Sequence, residues 1–244
     1  MGEDMKRSLL LKLVTFLVAL LASHGCRGHP GVSDILVADT AKASVVIIEE
    51  EVRIESDLGC YKTIQALQEA LGLPDDQKYL SGHLIVVEKE SRRMGLYHQG
   101  VFALEEDRNP KCWRVALAPQ APLGPKQRSG DHRTPEGWYA ISDEPVSQFE
   151  DALLVHYPNC QDAKRGVVAG RIGKNVHEQI CQAEAHGLPP PQYTPLGGRI
   201  LIHTGGWEDL TDWTLGCIAL SEVNLGKLRD SLPASKKAMI LILP

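Results

Sequence analysis

The chain is predicted to fold as a mainly β domain with a few short helices, and three observations carry that prediction. From residue 82 onward, short apolar or alternating runs recur: Leu84–Val87, Met94–Tyr97, Trp113–Leu117, Trp138–Ile141, Ala152–Tyr157, Arg199–His203 and Ala238–Leu243. Runs of this length, rich in β-branched and aromatic residues, read as strands. Turn-forming clusters separate them, and only two stretches of the region keep helical spacing. With 244 residues and 43% hydrophobic side chains, the chain can build one core of ordinary size and still carry an extension.

Taken in order, the first 25 residues read as an export signal. Lys6 and Arg7 precede an apolar run of ten residues, Leu13 to Ala22, and small Ser23 and Gly25 stand before a cut ahead of Cys26. That run is short of the roughly 20 residues needed to cross a bilayer. An uncleaved anchor is the second reading. Lipidation at Cys26 is the third, and Ser23 stands where a lipobox wants Leu. Residues 26–81 form an N-terminal extension. Within it, Ile64, Leu67, Gln68 and Leu71 keep helical spacing until Gly72 and Pro74 stop it.

Residues 82–244 form the main domain. Ser91-Arg92-Arg93 separates the first two strands, and Pro119 to Gly130, with three prolines and two glycines, marks a loop. Lys174 to His186 reads as a helix through Val176, Ile180 and Ala183, ended by Gly187 and Pro189–Pro191. Val223 to Leu232 reads as a second short helix before the last strand.

A net charge of −5 gives no electrostatic footprint for nucleic acid, and neither a phosphate-cradling glycine loop nor an internal repeat is present. With Cys26 and Cys217 set aside, Cys60, Cys112, Cys160 and Cys181 allow three pairings in an oxidising compartment. Cys160 with Cys181 is favoured, since both lie between Tyr157 and Pro189; four unpaired core cysteines are the alternative. No Cys-x-x-Cys or zinc-type Cys/His spacing occurs, so no metal is expected.

Chemistry concentrates in residues 202–220. Cys217 follows Gly216, and His203 lies 14 positions upstream with Gly205 and Gly206 behind it. A thiol, a base and a glycine that lets backbone N–H groups approach a carbonyl are the parts of a cysteine acyl-transfer site. A free thiol titrates near 8.5; His203, as acceptor of its proton or as imidazolium partner, would lower that value. Standing alone, the pair reads more often as a buried cysteine and a core histidine than as a site.

The surrounding pattern resembles the signature of the L,D-transpeptidase (YkuD-type) catalytic domain. Ile202-His203-Thr204-Gly205 and Thr214-Leu215-Gly216-Cys217-Ile218 stand where that family has Ile-His-Gly and Ser/Thr-x-Gly-Cys-Ile/Val. Gly130-Asp131-His132-Arg133-Thr134-Pro135-Glu136-Gly137, Tyr157-Pro158-Asn159, Thr194-Pro195-Leu196-Gly197-Gly198 and the hairpin from His83 to Tyr97 match further segments in order. Ala219 replaces an arginine and Leu215 a histidine found in many members, a branch that resembles hydrolysing as well as transferring enzymes.

The resemblance implies a β-sandwich-like fold and an exported enzyme of cell-wall biogenesis. Cys217 would form a thioester with a peptidoglycan stem tetrapeptide and pass it to an amine on a second stem or on a wall-linked protein. Water as acceptor would make it an L,D-carboxypeptidase or cross-link-cleaving amidase, and a non-catalytic wall-binding module is the third reading. No cofactor is implied. His203 would be oriented by the Thr204 carbonyl, or alternatively by Asp212, which with Thr214 could instead organise the turn before Gly216. The oxyanion would meet N–H groups of Cys217, Gly216 or Leu215. Arg133 would meet a substrate carboxylate or, in the preferred reading, brace its loop through Asp131 or Glu136. Trp207, Trp213 and Tyr157 would wall the substrate groove, or sit in the core.

Overall fold

A computed structural model describes Cys60, residues 65, 66 and 69, and residues 82–119, 124–205 and 211–244. The expected signal segment, most of the extension and Trp207 lie outside the described residues. Among the described residues nine strands form one sheet: β1 (His83–Glu88), β2 (Arg93–His98), β3 (Val101–Phe102), β4 (Cys112–Arg114), β5 (Gly137–Asp143), β6 (Leu153–Val155), β7 (Ile200–His203), β8 (Ile218–Ala219) and β9 (Ala238–Leu243). Their order is β3-β2-β1-β9-β5-β6-β7-β8, with β4 also on β2. The chain leaving β4 meets β8 again at the Ala116–Ala219 bridge, so the sheet curls back on itself.

The curl follows from side-chain alternation. Odd-numbered Ile85 and Val87 of β1, Tyr139 and Ile141 of β5, and Leu153 and Val155 of β6 enter one core with even-numbered Ile240 and Ile242 of β9 and Ile200 and Ile202 of β7. Each such side chain contributes roughly 1.5–3 kcal/mol on full burial, so the register is strongly specified. The opposite face is also covered. Leu84, Val86, Tyr97 and Leu241 pack there with Cys60, which is joined to Cys112 by a disulfide. That bond ties the extension to the edge of the sheet.

Three helices complete the described domain: α1 (Cys160–Val168), α2 (Lys174–Ala185) and α3 (Glu222–Ser231). Helices α2 and α3 fall where helical spacing predicts them. Sequence reading passed over α1, although its start is written as a capping box. Asn159 accepts the Asp162 N–H while the Asp162 carboxylate accepts the Asn159 N–H. Asp162 is also bonded by the Tyr139 hydroxyl at 3.0 Å and by Arg165. A second disulfide, Cys160–Cys181, joins α1 to α2, with Cα atoms 4.6 Å apart. Closing that loop stabilises by about 3 kcal/mol on the chain-entropy estimate.

Candidate active site

His203 ends β7, and Cys217 immediately precedes β8, the parallel neighbour that pairs Ile202 with Ile218 and His203 with Ala219. Ile200, Ile202 and Ile218 enter the main core, so alternation turns Leu201, His203, Cys217 and Ala219 onto the other face. There Cys217 packs beside Leu154 and Leu201. Histidine and cysteine thus share one sheet face on adjacent strands, two residues apart in register.

The segment before the cysteine is pinned from several sides. Backbone N–H groups of Trp213 and Thr214 both donate to the Leu117 carbonyl, at 2.8 and 2.9 Å. The Thr214 hydroxyl donates to the Cys217 carbonyl at 2.8 Å and accepts, at 3.4 Å, from the Gly216 N–H. Gly216 has φ +119°, and a Cβ there would lie 2.8 Å from the Arg133 carbonyl oxygen. Only glycine fits this approach of two backbones. Among the described residues the Cys217 and Leu215 N–H groups donate to no acceptor, which leaves them available for an oxyanion.

His203 is buried and held on three sides. Its Nδ1 is 2.5 Å from the Thr204 carbonyl. A carbonyl can only accept, so Nδ1 carries the proton, and Nε2 of the neutral ring has a free lone pair. The ring stacks on Phe149 at 3.8 Å and meets Trp213 edge-on at 5.5 Å. Burial pushes the imidazole below its ordinary value of 6.5, against the opposing bond to Thr204. Burial likewise pushes the Cys217 thiol up, opposed by the Leu201 N–H and by the charges of Lys126 and Arg199. The thiolate anticipated from sequence is therefore not the favoured resting form. A neutral thiol beside a neutral imidazole is, with Sγ donating to the Arg199 carbonyl at 3.6 Å and accepting from Leu201 N–H at 3.5 Å. Among the described residues no hydrogen bond joins Sγ to the imidazole.

The other predicted residues divide. Asp212 does not touch His203; its carboxylate takes the Arg92 guanidinium at 2.7 Å and the Leu117 N–H at 2.8 Å, and so organises the turn. Arg133 forms no ion pair with Asp131 or Glu136. Buried Lys126 occupies Asp131 and buried Lys89 occupies Glu136, each at 2.6 Å, and the Arg133 guanidinium reaches the Pro125 carbonyl at 3.5 Å. Trp213 walls the imidazole. Tyr157 lies in the main core, 1% exposed, its hydroxyl donating to Leu196 and Lys126 carbonyls and held above its ordinary range by burial. It lines a cavity of about 130 Å³ with Pro125, Lys126 and Leu196, which shares no residue with the one on the histidine side. Phe149 was missed, since an aromatic amid Ser147, Gln148 and Glu150 carries no local mark of its place on the histidine. Beyond it a cavity of about 660 Å³, lined by Phe149, Thr204, Gly205 and Val223, opens on the histidine side.

The curled β domain thus brings a cysteine and a histidine of set tautomer to one sheet face. The sequence model of the YkuD L,D-transpeptidase catalytic domain matches residues 82–240, and the chain belongs to that family. YafK of Escherichia coli K12, whose name also places it among the L,D-transpeptidases, is 40% identical over 47 residues, 18% of this chain and 19% of its own. The cell shape determining protein Pgp2 of Campylobacter jejuni shares 20% identity over 70% of this chain and 52% of its own, with a TM-score of 0.39. An L,D-transpeptidase of Mycobacterium tuberculosis shares 11% over 67% and 58%, with a TM-score of 0.37. The chain thus matches about a fifth of YafK and about half of Pgp2.

Proposed function

We propose that the protein is an exported L,D-transpeptidase acting on peptidoglycan stem peptides, with Cys217 as nucleophile and His203 as general base. The observation that carries this reading is the Nδ1–Thr204 hydrogen bond, which leaves Nε2 basic on the face shared with Cys217. As a stem tetrapeptide binds, the thiol turns from the Arg199 carbonyl to Nε2. Its proton passes to the ring as sulfur attacks the carbonyl of the third residue, so thiolate forms only as it is used. The oxyanion meets the Cys217 and Leu215 N–H groups. The terminal D-residue leaves as an amine, taking the proton from the imidazolium, and a thioester remains.

An amine of a second stem, or of a wall-linked protein, then attacks the thioester with His203 again as base. Arg133, whose guanidinium has only the long bond to Pro125 among the described residues, is the candidate for a stem carboxylate. Trp213, partly exposed beside the imidazole, bounds the groove. Hydrolysis is the second reading, favoured by Ala219. This fully buried alanine stands opposite His203 in register, where an arginine would bring a cation to the dyad's face.

Among the described residues no helix is long and apolar enough to cross a membrane. Export rests on the leader-like first 25 residues. Incubation with defined tetrapeptide muropeptides and mass spectrometry of the products tests the assignment. Cross-linked dimers support transfer, tripeptide alone supports hydrolysis, and unchanged substrate with intact protein removes both.

A further inference from the structure

The contact between α1 and α2 holds a second cluster of reactive side chains on which the proposed mechanism does not call. Cys160 is the first residue of α1; His177 and Cys181 lie one turn apart on the same face of α2. The His177 Nε2 is 3.5 Å from Cys181 Sγ and 4.0 Å from Cys160 Sγ, and all three atoms fall within 4.8 Å of one another. No sequence motif announces this set, because its first member comes from another helix.

In the structure the two sulfurs are bonded to each other, and a disulfide is a poor ligand. Other contacts also hold the two helices together. Ala163 of α1 and Ile180 of α2 share a small core with Ile172 and Leu196, and the Glu184 carboxylate accepts the Cys160 N–H at 2.6 Å. If the S–S bond is opened, two thiols and an imidazole remain converged on one point. Donor atoms around a tetrahedral zinc ion, bound at about 2.0–2.3 Å, lie roughly 3.5 Å apart. The His177–Cys181 distance already has that value. All three residues are half-buried, so solvent can supply a fourth ligand and the ion has a way in.

We propose that the dithiol form of the Cys160–His177–Cys181 cluster binds one thiophilic divalent metal ion, so that disulfide and metal are alternative clasps on the same helix pair. Opening is an exchange with a dithiol reductant. Its thiolate displaces one protein sulfur, its second thiol releases the other, and the reductant leaves as its own disulfide with two electrons passed to the protein. Metal entry then replaces two thiol protons, which are released to solvent. Which clasp closes is set by the redox poise of the surroundings and the free metal concentration.

The test uses the whole chain carrying Cys217→Ala, so that the candidate nucleophile adds no signal. Oxidised protein and protein reduced with excess dithiol, then freed of it under argon, are titrated with Co²⁺ and afterwards with Zn²⁺. The reduced protein should take up a single equivalent of cobalt with thiolate-to-metal charge-transfer absorption, which zinc abolishes. The oxidised protein should show none. His177→Ala should weaken the affinity at least about tenfold, the loss that even a supporting partner of a metal ligand causes. Charge-transfer absorption that is absent from the reduced protein overturns the proposal. So does absorption that survives Cys160→Ser with Cys181→Ser, since it then arises from Cys26, Cys60 or Cys112. Should the serine variant fail to fold, alkylation mapping of the reduced protein decides. Zinc should protect Cys160 and Cys181 while leaving Cys26, Cys60 and Cys112 reactive, and equal labelling of all five refutes the site.

Discussion

Gly216→Ala is the sharpest probe of how the nucleophile is placed. The added Cβ would lie 2.8 Å from the Arg133 carbonyl oxygen and 3.4 Å from both its carbon and the Ile200 Cδ1. The first contact is with backbone, which cannot rotate away, and φ +119° is itself strained for an L side chain. Strain of this kind costs about 1–3 kcal/mol, and relieving the contact must move the turn away from Arg133. For a domain of this size the loss lowers Tm by roughly 2–12 °C. Cys217 is the next residue and moves with the turn, and a displacement of about 1 Å at a reacting atom costs on the order of 10²-fold in rate. Gly82→Ala is the control, since Gly82 has φ +99° but nothing within 4 Å of the added atom. Thermal unfolding and muropeptide turnover are measured on both variants. Gly82→Ala should show the conformational cost with turnover intact; Gly216→Ala should lose both. A Gly216→Ala protein with unchanged Tm and turnover would refute the backbone-contact argument.

Further outcomes follow from the same geometry. Cys217→Ala should abolish acyl-enzyme formation, read as intact mass, while the protein stays folded; retained turnover would assign the nucleophile elsewhere. His203→Ala should lower the chemical step by about 10²–10⁴. Because burial holds His203 below 6.5, the base form persists to lower pH than in a free histidine. The acid limb of kcat/KM should therefore fall below 6.5, and a midpoint above it would contradict the buried neutral ring. Asp212→Asn should leave the pH profile of Cys217 alkylation unchanged, since the carboxylate sits on Arg92 and Leu117; a shifted profile would return it to the imidazole. His156, buried against Ser142, is lowered by burial and then by Lys237 from 6.5 to about 4. The unfolded chain takes up this proton first, so the stability contributed by the neutral ring is present above 6.5 and is lost as pH falls toward about 4. The loss is of order 3 kcal/mol at about 1.4 kcal/mol per unit. Urea unfolding of wild type and His156→Gln across that window should show a steeper slope in wild type, since His203 contributes in both, and parallel curves would sink the idea.

The features legible in the order of residues are local. The apolar runs Leu84–Val87 and Ile200–Ile202 are written in neighbouring residues, as strands buried on both faces require. The Gly-Cys step and the histidine ending a strand were legible in the same way, as was the stop of α2 at Gly187. The capping box of α1 was equally local and was passed over. The tertiary structure alone decided whatever depends on which distant groups meet. Arg133 lost both expected carboxylates to Lys89 and Lys126, which arrive from elsewhere in the chain and are buried beside them. Tyr157, the first residue of the Tyr-Pro-Asn motif, faces the core, continuing past the end of β6 the inward direction of Leu153 and Val155. The acceptor for Nδ1 could have been Asp212 or Thr204. The choice fell to a backbone carbonyl once Arg92, 120 residues away, had engaged the carboxylate. Four cysteines allowed three pairings, and chain order could rank them but not choose. A bond between sulfurs needs Cα atoms within a few ångströms, and only the packing of α1 on α2 and of Cys60 on the sheet brings them there.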